Sequence, residues 1–226
     1  MKTLVLLSTF VFSCTALASQ NHPFYIAADG GIFQGSFNNQ YFDQTDAIAQ
    51  NFQQTVLQNG YTGGIALGYH HGFTNRRYGL GIELSGHGDT NKATFQEGAS
   101  SAAFSDTTQI NAHMDLTLVP TLYFTKSLNA FLKFGMSLAW IQDNLISPVG
   151  NTAAMTTYAN SNATLGAALG LGIAKKIAKR FKLYTEADYH DYGTTHFPAF
   201  QNFTATYTHA SHIYSYDVVC GAAYTF

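Results

Sequence analysis

The amino-acid sequence predicts an all-β fold, an eight-stranded antiparallel transmembrane β-barrel with short periplasmic turns and four long extracellular loops. Three observations predict it. Apolar side chains recur with a period of two rather than ~3.6. The alternating runs are about 10 residues long, the length a tilted membrane-crossing strand needs. Connections alternate between a few residues and about 15–25, the asymmetry expected of such barrels. Of 226 residues, 46% are apolar, 15% aromatic and only 11% charged, with a net charge of −2. That charged fraction is under half the usual ~25%, which argues against disorder, coiled coil and the surface of a cytosolic enzyme. Near-neutrality argues against nucleic acid as a partner, and past the N-terminus no apolar run reaches the ~18 residues of a spanning helix.

Each strand follows from its alternation. The first sets Phe24, Ile26, Ala28, Gly30 and Ile32 against Tyr25, Ala27, Asp29, Gly31 and Phe33. The second sets Tyr61, Gly63, Ile65, Leu67 and Tyr69 against Thr62, Gly64, Ala66, Gly68 and His70, and the third Tyr78, Leu80, Ile82 and Leu84 against Glu83, Ser85 and His87. In the fourth, Ile110, Ala112, Met114, Leu116 and Leu118 alternate with Asn111, His113, Asp115 and Thr117. The fifth opposes Leu132, Phe134, Met136, Leu138 and Trp140 to Lys133, Gly135, Ser137 and Ala139, and the sixth carries Leu165, Leu169, Leu171 and Ile173 against a row of Gly and Ala. The seventh opposes Phe181, Leu183, Ala187 and Tyr189 to Lys182, Tyr184, Glu186, Asp188 and His190. The eighth sets Tyr214, Tyr216, Val218, Cys220, Ala222, Tyr224 and Phe226 against Ser215, Asp217, Val219 and Gly221.

Alternation alone also describes a soluble sandwich. Strand length, connection asymmetry and aromatic placement separate the two. Phe24, Tyr69, Phe73, Tyr78, Phe124, Phe181, Tyr224 and Phe226 fall near the short-turn end, and Trp140 and Tyr189 near the other, so two aromatic girdles are expected. Hydrocarbon satisfies no backbone donor or acceptor, so open edges are excluded and the strands close on themselves. Eight strands enclose a lumen that side chains fill, with little room for an aqueous channel.

The N-terminus reads as a targeting segment. Lys2 precedes an apolar stretch from Thr3 to Phe12, and Ala16, Leu17 and Ala18 offer a small-x-small cleavage site. Residues 1–18 are therefore expected to be a signal peptide cleaved near Ala18, and residues 19–226 the barrel domain. In the alternative, residues 11–14 form a lipoprotein signal with Cys14 acylated, which the bulky Phe12 fits poorly. Past the cleavage site only Cys220 remains, so no intramolecular disulfide is expected.

The last nine residues, VVCGAAYTF, resemble the C-terminal signal by which outer-membrane barrels are recognised for insertion. That resemblance makes Tyr224 and Phe226 an assembly signal and implies the barrel-assembly machinery as a partner. GYTGGIALGYHHGF, LTLVPTLYF and YTEADYHDYG resemble the second, fourth and seventh strands of OmpA-like and opacity-type surface antigens. The resemblance covers nearly all of the chain past the leader and implies the outer membrane of a Gram-negative bacterium. It implies no single activity, because adhesins, structural anchors and lipid-modifying enzymes share this fold. No peptidoglycan-binding domain follows Phe226, so no cell-wall tether is expected.

The inward face carries the candidate site. Asp29, His70, Glu83, Lys133 and Glu186 sit at similar heights on their strands, and Asp115 and Asp217 lie higher with His113 near. Glu83 and Lys133 form the expected ion pair. The set reads either as a gate whose salt bridges open a narrow pore or as a polar plug, and the plug is favoured because buried charges need partners. His190, His196, His209 and His212 flank one loop at no compact metal-ligand spacing, so no metal and no cofactor are expected. His209, Ala210 and Ser211 resemble the His-x-Ser element of outer-membrane lipid A deacylases. No Glu follows them, so no catalytic residue is assigned.

Charge also divides by topology. Nearly all basic residues, among them Arg77, Lys126, Lys176 and Arg180, lie at the short turns, whereas Asp43, Asp46, Asp89, Glu97, Asp106, Asp143 and Asp191 fall in the expected loops against Lys92 alone. An acidic, aromatic-rich outer surface disfavours nucleic acid and suits a cationic or neutral host or surface ligand. Ile48, Phe52 and Val56 recur every four residues, which suggests a short helix over the barrel mouth. The expectation is a non-enzymatic, monomeric barrel held by outer-membrane lipids, with a structural or surface-interaction role. A low-conductance pore is the alternative and a lipid-modifying enzyme the third reading.

Overall fold

Alternating small or polar and large apolar side chains leave each strand two usable faces, and the chain spends them on the inside and outside of a tube. The computed structural model describes residues 24–43, 51–73, 77–90, 92–97, 104–148, 155–202 and 205–226. The expected leader, and Cys14 with it, lies outside the described residues. Among the described residues all elements are strands: β1 (Phe24–Asp43), β2 (Asn51–Gly72), β3 (Tyr78–Asp89), β4 (Ala93–Glu97), β5 (Phe104–Tyr123), β6 (Leu128–Pro148), β7 (Met155–Lys176), β8 (Phe181–Asn202) and β9 (Ala205–Thr225). Every neighbour is antiparallel. The ring runs β1, β2, β3, β5, β6, β7, β8, β9 and closes from Tyr25↔Thr225 to Asp43↔Tyr207, while β4 continues the line of β3 along β5. Eight staves thus make one closed wall.

The outward face is a belt of exposed Ile, Leu, Val, Met and Phe, such as Ile65 on β2, Ile82 and Leu84 on β3, Phe134 on β6 and Leu171 on β7. At the short-turn end the ring pairs Phe24–Tyr69 and Phe181–Tyr224 each lie 5.1 Å apart, and at the other Tyr189 packs on Tyr216 at 5.0 Å. These are the two girdles.

The strands are longer than their apolar runs. A strand of 22 residues such as β2 is ~70 Å long and, tilted ~45°, rises ~50 Å, about twice the ~25 Å apolar belt of such barrels. The surplus is polar β-structure continuing beyond the belt, where the sequence suggests loops of about 15–25 residues. Only residues 44–50, 98–103, 149–154 and 203–204 separate the strand ends there. The expected helix over the mouth is not formed: Phe52 and Val56 belong to β2, opposite Tyr41 and Phe37, and Ile48 lies outside the described residues.

Three bulges among the described residues reset the inside–outside alternation, one on β5 and two on β8, the second of these between Phe197 and Phe200. On β5, Ile110 pairs with Ile141 and Ala112 with Trp140, which leaves Asn111 as an extra residue and turns Ile110 inward, against its expected outward position. On β8, Asp191 pairs with Tyr214 and Thr194 with His212, with Gly193 at φ +65° between them. That left-handed conformation suits glycine, and the Gly193 N–H donates to Asp191 Oδ1 at 2.8 Å. Rungs between β7 and β8 run from Lys176↔Lys182 to Ala167↔Asp191. Among the described residues no rung joins these two strands above that level.

Candidate functional site: a layered, closed lumen

Four layers fill the barrel from the short-turn end upward. The lowest is a cavity of about 70 Å³ lined by His70, Tyr123, Phe131 and Lys182 below the charged groups. His70 Nδ1 lies 3.3 Å from the Tyr123 hydroxyl. His70 therefore does not join the ion pairs with which its height on the strand grouped it.

The second layer is an ion network across the tube. Glu83 on β3, Lys133 on β6 and Glu186 on β8 all point inward by parity, and Lys133 Nζ sits 2.7 Å from Glu83 Oε1 and 2.8 Å from Glu186 Oε2. Tyr25 donates its hydroxyl to Glu83. One ammonium thus serves two carboxylates, which suits a lumen where water is scarce and each charge needs a partner.

A third layer of imidazoles and carboxylates sits above it. Asp29 accepts from the Tyr184 hydroxyl at 2.7 Å and lies 3.1 Å from His87 Nε2. His87 stacks on His113 with ring centroids 4.8 Å apart, and His113 lies 4.8 Å from His190. Asp89 Oδ2 is 2.8 Å from His113 Nδ1. Asp115 Oδ2 lies 3.3 Å from His190 Nε2, and Asp217 Oδ2 lies 3.7 Å from His190 Nδ1. Two sets, His87–His113–Asp115 and His113–His190–Asp217, each bring one ligand atom per residue within 4.8 Å of the others.

The fourth layer is apolar. Phe33, Phe37, Ile110, Ala139, Ile141, Tyr192, Phe197 and Ile213 form a buried cluster that crosses the lumen above the histidines, with Val56 packed against it. The bulge at Asn111 makes it possible, since it brings Ile110 to the inside.

The sequence-derived set therefore divides in three. Glu83, Lys133 and Glu186 meet; Asp115 and Asp217 meet through His190; Asp29 and His70 each take separate partners. His87, His113, His190 and Asp89 complete the third layer without having been singled out together. Their signal was parity: His87 and Asp89 are in phase with Glu83, and Asp188 and His190 with Glu186.

Several expectations about the outer face change accordingly. Asp106 is 1% and Asp143 5% exposed on β5 and β6, and Thr108 donates to Asp143 Oδ1 at 2.9 Å. With Asp89 held by His113, three carboxylates expected on the surface lie inside, because the polar strand extensions keep an inward face. His190 leaves the supposed loop group for the lumen, whereas His212 stays near the surface 3.5 Å from Asp191. Ser211 is fully buried on β9, and Asp217, the acid available to a His209–Ser211 pair, lies against His113 and His190 instead.

Comparison with known proteins follows the fold. The sequence matches the family described as outer membrane protein beta-barrel domain over residues 4–226. An uncharacterized protein of Coxiella burnetii (strain RSA 493 / Nine Mile phase I) is 26% identical over 219 residues, covering 89% of this chain and 83% of that protein. The outer membrane protease OmpT of Escherichia coli superposes with a TM-score of 0.54 at 10% identity, over 92% of this chain and 99% of OmpT. A major outer membrane protein of Thermus thermophilus superposes with a TM-score of 0.51 at 14% identity, over 92% of this chain and 100% of the other. At such identities these structures speak to fold alone.

Proposed function

This chain belongs to the outer membrane protein β-barrel family and lies in the bacterial outer membrane, and on that premise we propose that it is a closed, non-enzymatic barrel holding a β-structured platform above the lipid for surface interaction. One observation carries the reading: the lumen is blocked twice, by the ion network on Lys133 and by the apolar cluster around Phe33 and Ile213. An ion crossing it would have to displace a buried salt bridge and then enter a dry apolar layer, both costly. The outward, upper parts of β1, β2, β6 and β7 bear Asn, Gln, Thr and Ser, hydrogen-bonding side chains suited to a polar partner surface.

In this reading the short turns are periplasmic, the molecule is a monomer held by outer-membrane lipids, and Tyr224 and Phe226 serve its insertion by the assembly machinery. Planar-bilayer recording of purified folded protein, run beside adhesion of a deletion strain to host cells, tests it. Silent bilayers and reduced adhesion are expected. Stepwise conductance that changes on substitution of Lys133 would replace the closed barrel with a narrow pore, and unaltered adhesion would remove the surface-interaction role. Thiol labelling of single cysteines placed on intact cells checks orientation: positions 50, 96, 153 and 200 should react, and 77, 126 and 176 should not.

A further inference from the structure

The third layer has more unsatisfied chemistry than a polar plug needs. A carboxylate only accepts hydrogen bonds, so the contact of Asp89 Oδ2 with His113 Nδ1 places the ring proton on Nδ1. His113 Nε2 is left facing Asp115 Oδ2 at 3.7 Å and Asp217 Oδ2 at 3.8 Å, both too long for hydrogen bonds, and it has no hydrogen-bond partner. The His113 side chain is 1% exposed. His87 repeats the pattern: Asp29 holds Nε2, and Nδ1 is buried without a partner. Asp217 Oδ1 is likewise buried and unpartnered. Two imidazoles are therefore each fixed through one nitrogen by a carboxylate while the other nitrogen is left free, which is the outer-shell arrangement typical of metal-ligating histidines.

The spacings agree. Ligands at ~2.0–2.1 Å from a tetrahedral ion are ~3.3–3.5 Å from one another; Asp217 Oδ2 lies 3.8 Å from His113 Nε2 and 3.7 Å from His190 Nδ1, which Ser215 Oγ also approaches at 3.3 Å, while the other His190 nitrogen, Nε2, lies 3.3 Å from Asp115 Oδ2, and one donor atom each from His113, His190 and Asp217 falls within 4.8 Å of the others. The carboxylates of Asp115, Asp188 and Asp217 also line this small void with no Arg, and the only Lys there, Lys133, is engaged by Glu83 and Glu186.

We propose that this chain binds one divalent transition-metal ion of the zinc class inside the barrel, between His113, His190 and Asp217, with Asp89 orienting His113 and Asp115 orienting His190 through its other nitrogen. Imidazole and carboxylate donors together suit zinc and its borderline neighbours better than calcium or magnesium. The ligands come from β5, β8 and β9, so the ion ties staves from opposite sides of the tube. With the ion network beneath and the apolar layer above, it enters as the barrel closes and does not exchange afterwards.

The test uses folded protein extracted from outer membranes of cells grown with zinc sulfate, stripped of loose metal by EDTA and assayed for metal per chain. About one zinc ion per chain is expected to survive EDTA and to be released when the protein is unfolded in guanidinium. Protein refolded with cobalt chloride should show the visible bands of a low-coordinate nitrogen–oxygen site. His113→Gln and Asp217→Asn should each lower retained zinc about tenfold or more, whereas His196→Ala, an exposed outward histidine, should leave it unchanged. Both variants are checked for the compact unboiled form on SDS gels; where one fails to fold, wild-type retention and release decide. Zinc below about a tenth of an ion per chain in folded wild type, metal removed by EDTA without unfolding, or retention that His113→Gln and Asp217→Asn leave intact would each overturn the site.

Discussion

Replacing Lys133 with methionine removes a charge and keeps most of the side-chain volume, so packing changes little. Its Nζ lies 2.7 Å from Glu83 and 2.8 Å from Glu186, and the side chain is 11% exposed. The variant strands two carboxylates opposite each other, with no other cation bonded to either among the described residues. Breaking a buried pair costs ~3–5 kcal/mol, and the sharing of one lysine by two acids puts the expected loss near ~5 kcal/mol. With a urea slope of ~2 kcal/mol/M, the unfolding midpoint in lipid vesicles should fall by ~2.5 M. Glu83→Gln makes a useful contrast, since it leaves a one-to-one pair with Glu186 and a neutral acceptor for Tyr25, at an expected cost of about 1 kcal/mol. The triple variant Lys133→Met, Glu83→Gln, Glu186→Gln should recover most of the loss, and the cycle reports the coupling. A Lys133→Met loss under ~1 kcal/mol, the value of solvent-screened pairs, would refute the dry network and imply a water-filled lumen.

Deleting Asn111 should remove the bulge and leave a regular ladder, with Ile110 still inward opposite Ile141 and Ala112 still opposite Trp140. The compact band on unboiled SDS gels should persist, with a stability change of about 1 kcal/mol or less, and its loss would refute the assignment of Asn111 as the extra residue. Gly193→Ala meets open space at the new methyl and suffers only from the positive φ, so it should cost about 1–2 kcal/mol in the same urea assay, and Gly193→Asn less. Deletion of Phe226, which is exposed beyond β9, should leave refolding in detergent intact while reducing surface display in cells, measured by whole-cell labelling of a loop cysteine.

The ring was legible from the sequence because period-two alternation assigns each residue a face, and lipid outside and a tight lumen inside keep the two faces chemically different. Where that contrast fades, so did the reading. The upper halves of β1, β2 and β7 carry amides and hydroxyls on both faces, so their continuation as strands left no mark. Phe52 and Val56, four residues apart, lie on one face of a helix and equally on one face of a strand, which is why their spacing suggested a helix that β2 replaces. The bulges at Asn111 and Gly193 shift parity by a single residue with no composition signal beyond one glycine. In the site, Glu83 and Lys133 are found by opposite charge alone. The histidine layer is different: His87, His113 and His190 say little one at a time, and only the ring order and register stack them.

The level at which the backbone rungs between β7 and β8 stop also fixes where lipid must end. Free backbone N–H and C=O groups are hydrated readily by water but cost several kcal/mol each in hydrocarbon, so the acyl chains on that side stop below the rung Ala167↔Asp191. Asp191 agrees, because its outward carboxylate is 40% exposed at that height, and Tyr189 one outward position below meets Tyr214 and Tyr216. From Phe181 at the turn to Tyr189, β8 covers ~26 Å along the strand, or ~20 Å when tilted ~40°, a thin belt even for an outer membrane. The end of the β7–β8 ladder thereby acts as a depth gauge. Vesicles of longer-chain lipids would draw Asp191 and that end into hydrocarbon, and folding yield should decline as the acyl chains lengthen.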